Sequence, residues 1–313
     1  MRKISAVIPV IALTAIALVG CAPAAGTANS AGCTPYSQPG PITSAVTVSG
    51  GFGEAPKLEG PSAMNVTAVE RDVLIAGDGP QIVSQNQVID LTYMLMRSSD
   101  GMNGEPTKQG LGTVGTFGQQ APTLGEQLMC AHEGDRLLLS LPAELLGTGS
   151  GMTASEGLVV AVDITRVYPD RASGTDVFNG TWGLPSVVRA PDGRSGVVVP
   201  DSAAPSTTAV ETLIRGDGAE LTADDAALLN VLGVSWTGKT QFRSSIDDGG
   251  PTVSASGDLP KAVADALVGA TVGSQLMVVV PADEAASDAA DTKAPKDTAL
   301  IYVVDVLGTL PSS

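Results

Sequence analysis

The sequence has few aromatic residues, a single histidine and a shortage of basic side chains. Aromatics make up 3% of 313 residues, and 33 Asp and Glu stand against 17 Lys and Arg, a formal charge of −16. Nucleic acid is therefore not expected as a partner, because phosphate binding needs a basic surface. Since His132 is the only histidine, a histidine-based metal cluster is excluded, and a Ser-His-Asp device would depend on that residue alone. We expect neither a metal nor a cofactor.

The first twenty residues differ in character from the rest of the chain. A basic "MRK" is followed by the apolar "ISAVIPVIALTAIAL" and then by "LVGC", a pattern typical of a secretory signal at residues 1–20. The ending resembles the lipobox of bacterial lipoproteins, which implies that Cys21 becomes a lipidated N-terminus and that the protein is extracytoplasmic, anchored in the cell membrane by lipid (palmitate). An uncleaved anchor helix is the alternative, although a proline and about 17 apolar residues make a poor span.

Cleavage of this leader would make the protein more acidic. Without Arg2 and Lys3, 15 basic residues face the 33 acidic ones, a formal charge of −18. Residues 21–45 are small, polar and proline-rich, which predicts a flexible tether. Two cysteines remain, and in an exported protein Cys33 and Cys130 are expected to form a disulfide, with two unrelated buried thiols as the alternative.

Short segments recur along the chain at a nearly constant spacing. "LIAGDG" at 74–79 returns as "LIRGDG" at 213–218, and "GDRLLLSLPAE" at 134–144 returns as "GSQLMVVVPAD" at 273–283, both displaced by 139. "GLVVAVDITRVYP" at 157–169 matches "ALIYVVDVLGTLP" at 299–311, displaced by 142. The pattern predicts two copies of one module, at 46–169 and 206–310, joined by a linker at 170–205. In "LIRGDG" we expect Asp217 to bond to the backbone of the turn.

Within each copy, apolar runs predict strands that surround one short helix. The helix is expected in "PTLGEQLMCAHEG" at 122–134 and in "PKAVADALVGATVG" at 260–273, each with a proline in the first turn and a glycine stop. One helix against an antiparallel sheet is an α+β arrangement. "GLGTVG" at 110–115 fits a dinucleotide fingerprint, but we expect a loop there, with no strand before it and no helix after it.

The second copy resembles the FKBP-type peptidyl-prolyl cis-trans isomerases. The segments "GVSWTGKTQFRSS", "AVADALVGATVGSQ", "MVVVPAD" and "ALIYVVDVL" carry the resemblance over residues 210–310, and "TLGEQLMCAHEGDRLLLSLP" extends it to the first copy. The tandem arrangement is similar to exported actinobacterial FKBP lipoproteins. The resemblance implies two FKBP-like modules, each an antiparallel half-barrel sheet wrapped on one short helix. It also implies a rotamase that assists the folding of proline-containing exported polypeptides at the membrane.

The resemblance also implies an apolar pocket that desolvates the twisted imide while a backbone N–H holds the substrate carbonyl. The family positions in the second module are Val231, Phe242, Arg243, Leu259, Pro260, Val263 and Tyr302. Those in the first module are Tyr93, Phe117, Ala121 and Leu124.

Several of these positions depart from the family pattern. Val231 replaces a tyrosine, Arg243 an aspartate and Val263 a tryptophan, while Pro260 stands where the N–H donor belongs and has none. Each apolar position could equally be ordinary core. We expect degenerate pockets with weak activity and weak macrolide binding, or else a non-catalytic protein that binds peptides or other proteins. Trp236, on the hairpin turn, is expected to cover the pocket or a partner surface.

Overall fold

A computed structural model describes residues 33–104, 107–120, 122–146, 156–178, 181–190, 193–287 and 293–310. The predicted leader at 1–20, the lipidation site Cys21, the first part of the tether and Ala121 lie outside these ranges. Within the ranges, five short α-helices accompany four antiparallel sheets. None of the helices described there is long and apolar enough to cross a membrane.

The first half of the chain builds a five-stranded sheet, called sheet 1, in the order β3-β6-β7-β4-β5. The elements, in chain order, are α1 (Pro41–Ala45), β1 (Thr47–Ser49), β2 (Lys57–Glu59), β3 (Glu70–Ile75), β4 (Val88–Arg97), β5 (Thr107–Thr113), α2 (Val114–Gln120), α3 (Pro122–Leu128), β6 (Arg136–Pro142) and β7 (Gly157–Val167).

The second half builds sheet 2 in the order β13-β12-β16-β15-β11-β8, with β14 also paired to β12. The elements are β8 (Thr175–Asp176), β9 (Ser186–Arg189), β10 (Ser195–Val198), β11 (Ala209–Arg215), β12 (Ala226–Ser235), β13 (Gln241–Ser244), β14 (Thr252–Ser254), α4 (Lys261–Leu267), β15 (Gln275–Val280), α5 (Ala282–Ser287) and β16 (Leu300–Leu310).

The two sheets share one strand order. Across each sheet the strands run first, fourth, fifth, second, third in chain order, with β8 added at one edge of sheet 2. The registers correspond as well, since Leu139 faces Val160 in sheet 1 and Val278 faces Tyr302 in sheet 2. Residues displaced by 138, 139 or 142 therefore occupy equivalent places, and the sheets can be compared position by position.

Each sheet has a helix face, which packs against helices. Every residue of the central strands β6 and β15 is buried, as expected for apolar runs covered on both faces. On the helix face of sheet 1, Phe117 of α2 and Leu128 of α3 join the core. On that of sheet 2, Val263 and Leu267 of α4 do so. Sheet 1 thus carries two helices where the sequence predicts one.

Each sheet also has a hairpin face, covered by a short β-hairpin that precedes it in the chain. On sheet 1 the β1-β2 hairpin supplies Leu58, packed with Met94 and Leu138. On sheet 2 the β9-β10 hairpin supplies Val187 and Val197, packed beside Met277, Val279 and Ile301.

The β9-β10 hairpin and α1 correct two sequence-based boundaries. Residues 170–205, predicted as a linker, contain three strands and part of a hydrophobic core. In the predicted tether, α1 lies against β3, where Glu70 accepts hydrogen bonds from the Thr43 backbone N–H at 2.8 Å and its hydroxyl at 3.2 Å. The described parts of both segments are rich in Gly, Pro and Ser, so their structure comes from tertiary contacts rather than from local preference.

The prediction of a loop at "GLGTVG" is wrong. Residues up to Thr113 belong to β5, and α2 begins at Val114. Leu111 has φ 47°, and its N–H donates to Asp90 at 2.6 Å, which places a tight irregularity in the strand. Because β5 pairs antiparallel with β4, the segment is not part of a β-α-β crossover.

The repeated "LI.GDG" motif is explained by its first glycine. A Cβ atom on Gly77 would collide with the carbonyl of Glu133, and one on Gly216 with that of Val272. Gly216 also donates its N–H to Ser274 Oγ at 3.0 Å. Close approach of two backbone segments therefore fixes the turn and requires glycine at this position.

The structure pairs Cys33 with Cys130, with Cα atoms 5.6 Å apart and a sequence separation of 97. Cys130 lies two residues after the end of α3 and has φ 67°, in the left-handed region; the equivalent residue after α4 is Gly269, with φ 82°. A glycine accepts this conformation at a helix end without steric cost, and a cysteine does not. In sheet 1, the disulfide thus stands where sheet 2 has a glycine cap.

Candidate functional site

An apolar cavity of about 150 Å³ lies on the helix face of sheet 1. Strands β4 and β7 form its floor, and α2, α3 and the segment after β6 form its walls. All of the lining side chains are apolar or aromatic: Leu91, Tyr93, Leu95, Phe117, Leu124, Leu141, Leu146, Leu158, Val160 and Val162.

Local sequence explains how this cavity is built. Alternation along β4 directs Tyr93 to the helix face and Met94 to the hairpin face. Phe117 can lie across the sheet because Gly112 has no side chain, since a Cβ there would sit 2.7 Å from the ring. Tyr93 and Leu124 are half-buried, whereas Phe117 is buried. The structure therefore brings three of the four residues predicted for the first module into one cavity.

The residues predicted for the second module also come together, but as a packed core. Val231, Leu259, Val263 and Tyr302 are each 4% exposed or less and belong to one hydrophobic cluster. Phe242 packs against this cluster with its ring edge-on to Tyr302, at a centroid distance of 5.7 Å and an angle of 90°. This is a favourable aromatic geometry that fills space.

One pair of facing residues accounts for the difference between the helix faces. In sheet 1, Leu95 of β4 faces Val160 of β7. In sheet 2 the equivalent pair is Gly233 and Tyr302. The tyrosine ring occupies the middle of the face, and Gly233 leaves room for Phe242, whose ring would be 2.6 Å from a Cβ at that position.

The family's N–H donor position is altered in sheet 2. Pro260 is buried at the start of α4, where its carbonyl accepts the N–H groups of Val263 at 2.8 Å and Ala264 at 2.9 Å. Proline has no N–H to offer a substrate. Arg243 is half-buried on β13, opposite Gly233.

The expectation that Trp236 covers the pocket is wrong. Its side chain is buried on the hairpin face, in the cluster that contains Val199 and Met277. The indole N–H donates to the carbonyl of Ser202 at 3.1 Å. Trp236 therefore attaches the segment after β10 to sheet 2, on the side away from α4.

Sequence reasoning missed a polar cluster on each hairpin face. In sheet 1, Arg136 donates to both carboxylate oxygens of Asp163, at 2.6 and 2.7 Å, and to the carbonyls of Gly50 and Gly51. The hydrogen bond to Asp163 raises the pKa of Arg136, despite an opposing effect of burial. Gly53 donates its N–H to the same carboxylate at 2.7 Å, so this cluster holds the β1-β2 hairpin on the sheet.

In sheet 2 the equivalent carboxylate has a neutral neighbour. Gln275 stands at the place of Arg136 and donates its Nε2 to Asp305 at 2.7 Å. Burial raises the pKa of Asp305, an effect that its hydrogen bonds from Gln275 and the Ala172 backbone only partly oppose. The signal available in the sequence was an ionisable residue inside each apolar run, in "DRLLL" and "VVAVDI" for sheet 1 and in "IYVVDVL" for sheet 2.

No family model and no curated protein matches the sequence, but solved structures do. Among them are FkpA from Escherichia coli (19% identity, TM-score 0.32, 43% of this chain and 55% of that one) and the three FKBP domains of wheat FKBP73 (14%, 0.30, 78% and 95%). A peptidyl-prolyl cis-trans isomerase from Pseudomonas syringae also matches (16%, 0.27, 34% and 81%). This chain thus covers little more than half of FkpA. At such values the likeness concerns the fold only, and we rest no mechanistic step on it.

Proposed function

We propose that the protein is a peptidyl-prolyl cis-trans isomerase, a folding factor whose working pocket is the cavity on sheet 1. The observation that carries this proposal is an apolar, partly aromatic cavity between a sheet and its helices, with Tyr93 and Leu124 half-buried at its edge. Its volume of about 150 Å³ equals roughly five water molecules. That size suits a single prolyl ring.

Isomerisation of an X-Pro bond requires no acid, base or metal. Its barrier of about 18–20 kcal/mol comes from amide resonance. The twisted imide of the transition state has less charge separation than the planar imide, so an apolar site that excludes water favours it. Leu91, Phe117 and Val162 supply such walls. In this proposal sheet 2 has a structural or client-holding role, because Tyr302 and Phe242 fill the equivalent space.

We also propose that both sheets belong to FKBP-like modules that derive from one duplicated segment. Their common strand order and register support this reading. The duplicated segment would include the covering hairpins. The β1-β2 hairpin already lies within residues 46–169, whereas inclusion of the β9-β10 hairpin would make the second module begin earlier than residue 206. The lipobox-like "LVGC" supports extracytoplasmic anchoring through Cys21, with proline-containing exported polypeptides as clients.

A second candidate is a non-catalytic protein that binds proline-containing segments. Two observations favour it: Pro260 provides no N–H, and the apolar side chains in sheet 2 pack on one another. The two candidates differ in one measurable property, because a binding protein would retain peptides without speeding their cis-to-trans exchange.

An exchange of the facing residues between sheets tests the proposal. The variant Leu95→Gly/Val160→Tyr places the sheet 2 pair in sheet 1 and is expected to close the cavity. The full chain should accelerate cis-to-trans exchange in a Leu-Pro tetrapeptide, and this variant should lose at least tenfold in rate. The matched control Gly233→Leu/Tyr302→Val alters sheet 2 and should retain the wild-type rate. Absence of acceleration by micromolar wild-type protein would reject the catalytic proposal, and peptide binding without acceleration would establish the second candidate.

A further inference from the structure

A second cavity, of about 60 Å³, lies on the hairpin face of sheet 2, between β10, β12, β13 and β16. Its walls are about half polar, and the polar residues include Ser195, Asn230, Ser244 and Asp305. The helix-face core lies on the opposite side of the sheet. The cavity is therefore separate from the site proposed for proline isomerisation, and nothing in that proposal uses it.

The buried side-chain amide of Asn230 indicates that a ligand of this cavity would donate hydrogen bonds. Its side chain is nine-tenths buried, at 9% exposure, and its Nδ2 donates to the carbonyl of Asp170 at 3.3 Å. This contact fixes the orientation of the amide. Oδ1 then has no hydrogen-bond donor among the described residues. A buried acceptor without a donor costs on the order of 1–3 kcal/mol.

Asp305 adds a buried carboxylate directly across the strand pair. It faces Asn230 in the register of β12 and β16 and is only 6% exposed. In sheet 1 the equivalent carboxylate contacts the guanidinium of Arg136, whereas Asp305 has the neutral amide of Gln275. A carboxylate can accept about four hydrogen bonds. Asp305 also accepts a hydrogen bond from the Ala172 backbone and interacts electrostatically with Arg189, but it retains acceptor capacity. A cation that donates hydrogen bonds to it would take the place that Arg136 has in sheet 1.

Size and donor number select the kind of cation. The volume of about 60 Å³ equals roughly two water molecules, which matches the two heavy atoms of a methylammonium head and is small for a four-atom guanidinium. A primary ammonium group has three N–H donors. Asn230 Oδ1, the Asp305 carboxylate and a wall hydroxyl such as that of Ser244 are three acceptors. No group of three metal-ligating side chains occurs in the described part of the chain.

We propose that this cavity binds a primary ammonium group, either the head of a lysine side chain on a partner polypeptide or a small alkylamine. The rim does not oppose the approach of a cation. Arg194 at the edge is paired with Asp247 at 2.8 Å, and Gln241 donates to the same carboxylate at 2.8 Å. The formal charge of −16 attracts cations to the molecule as a whole.

Titration of the full chain with methylammonium chloride tests the proposal. Sodium chloride and tetramethylammonium chloride at equal ionic strength are the reference salts, since the latter cation has the same charge and no N–H donor. Methylammonium should shift the side-chain amide resonance of Asn230 and raise the Tm, with half-saturation at millimolar concentration. Tetramethylammonium should do neither. Equal responses to both cations would overturn the proposal.

Three variants locate the site. Asp305→Asn should weaken methylammonium binding at least tenfold, whereas Asp224→Asn, which alters an exposed carboxylate elsewhere, should leave it unchanged. If Asp305→Asn fails to fold, Gln275→Arg replaces it, because an internal guanidinium should occupy the carboxylate and abolish binding. Unchanged binding in either of these two variants would contradict the proposal. A lysine-containing peptide then distinguishes the two sources. If the peptide competes with methylammonium and stops competing when its lysine is acetylated, the ligand is a lysine side chain of a polypeptide. If the peptide does not compete, the ligand is the small amine.

Discussion

Sheets 1 and 2 have the same strand order and the same register, yet their helix faces differ in the property that matters for binding. Sheet 1 has the Leu95–Val160 pair and a cavity, and sheet 2 has the Gly233–Tyr302 pair and a filled core. The backbone is therefore compatible with either outcome. Whether a pocket exists is decided by the volumes of side chains that face one another across two central strands.

The hairpin faces differ in an analogous way, through charge instead of volume. Sheet 1 compensates a buried carboxylate with Arg136, whereas sheet 2 offers Gln275 to Asp305. In sheet 1, Arg136 and Asp163 form a bidentate ion pair, and Arg136 also donates hydrogen bonds to the β1-β2 hairpin. In sheet 2, Gln275 at the same position leaves hydrogen-bond acceptors of Asp305 and Asn230 at a small cavity. On each face, one of the two sheets lacks internal contacts that the other sheet has.

The largest expected effect comes from breaking the charge pair of sheet 1. Arg136→Gln copies the sheet 2 residue but leaves the fully buried Asp163 without its cation, at a cost of about 3–5 kcal/mol. Urea denaturation should report this loss in the free energy of unfolding. The reciprocal Gln275→Arg should be neutral or stabilising. If Arg136→Gln lowers the free energy of unfolding by less than about 1 kcal/mol, the Arg136–Asp163 ion pair stabilises the protein no more than the neutral Gln275–Asp305 contact does.

Next in size is the disulfide, which only the first half of the chain contains. Cys33→Ser/Cys130→Ser should lower the free energy of unfolding by about 2–4 kcal/mol, because the unfolded chain regains the freedom of a long loop. Cys33→Ser/Cys130→Gly copies the Gly269 cap and should lose about 1 kcal/mol less, since glycine accepts φ 67°. Equal losses in both variants, measured by chemical denaturation, would mean that the left-handed conformation costs nothing.

The aromatic residues of the helix faces should respond unequally to truncation. Tyr302→Val removes a buried ring from a packed core and should cost about 2–3 kcal/mol. Tyr93→Val, at the edge of the sheet 1 cavity, should cost about 1 kcal/mol or less, because the side chain is half-buried. Equal costs in thermal unfolding would indicate that Tyr93 is as tightly packed as Tyr302.

The smallest expected effect is a pH dependence that arises from Asp305. Burial raises the pKa of Asp305 in the folded state, so the folded protein binds this proton more tightly than the unfolded chain does. The contribution to stability is complete below the unfolded pKa of about 4 and is lost as the pH rises through the folded value. Asp305→Asn should reduce this decline between acidic and neutral pH. The neighbouring charges of Asp170 and Arg189 are unchanged in the variant, so an unaltered pH profile of unfolding would contradict the assignment.

Much of this structure can be read from the sequence, for reasons that are local. The apolar runs of β6 and β15, the proline-initiated helices and the pairing of two cysteines all leave clear patterns. The hairpins do not, because β9 and β10 are four-residue strands with half-polar sequences that form only against the sheet. α2 was missed because its glycines disfavour a helix in isolation.

The candidate site was only partly predictable. The pocket positions could be located from the sequence. Whether they form an open cavity or a packed core could not be predicted, because that depends on which residues face one another after folding. The resemblance to FKBP-type isomerases lies mainly in the second copy, so it drew attention to Val231, Phe242 and Val263. The cavity is in the first copy, whose resemblance is weaker. The sequence resemblance follows the strands and helices that frame each sheet, whereas pocket volume depends on the residues at the Val160 and Tyr302 positions.

The central claim is that a prolyl ligand enters sheet 1 and not sheet 2. Titration of the full chain with a Leu-Pro peptide, followed through the methyl resonances of Leu, Val and Ile, tests it most directly. The account predicts that the methyl signals of Leu124, Leu158 and Val160 shift with the peptide while those of Val231 and Val263 stay in place. Shifts confined to Val231 and Val263, or no shifts at either face, would contradict it.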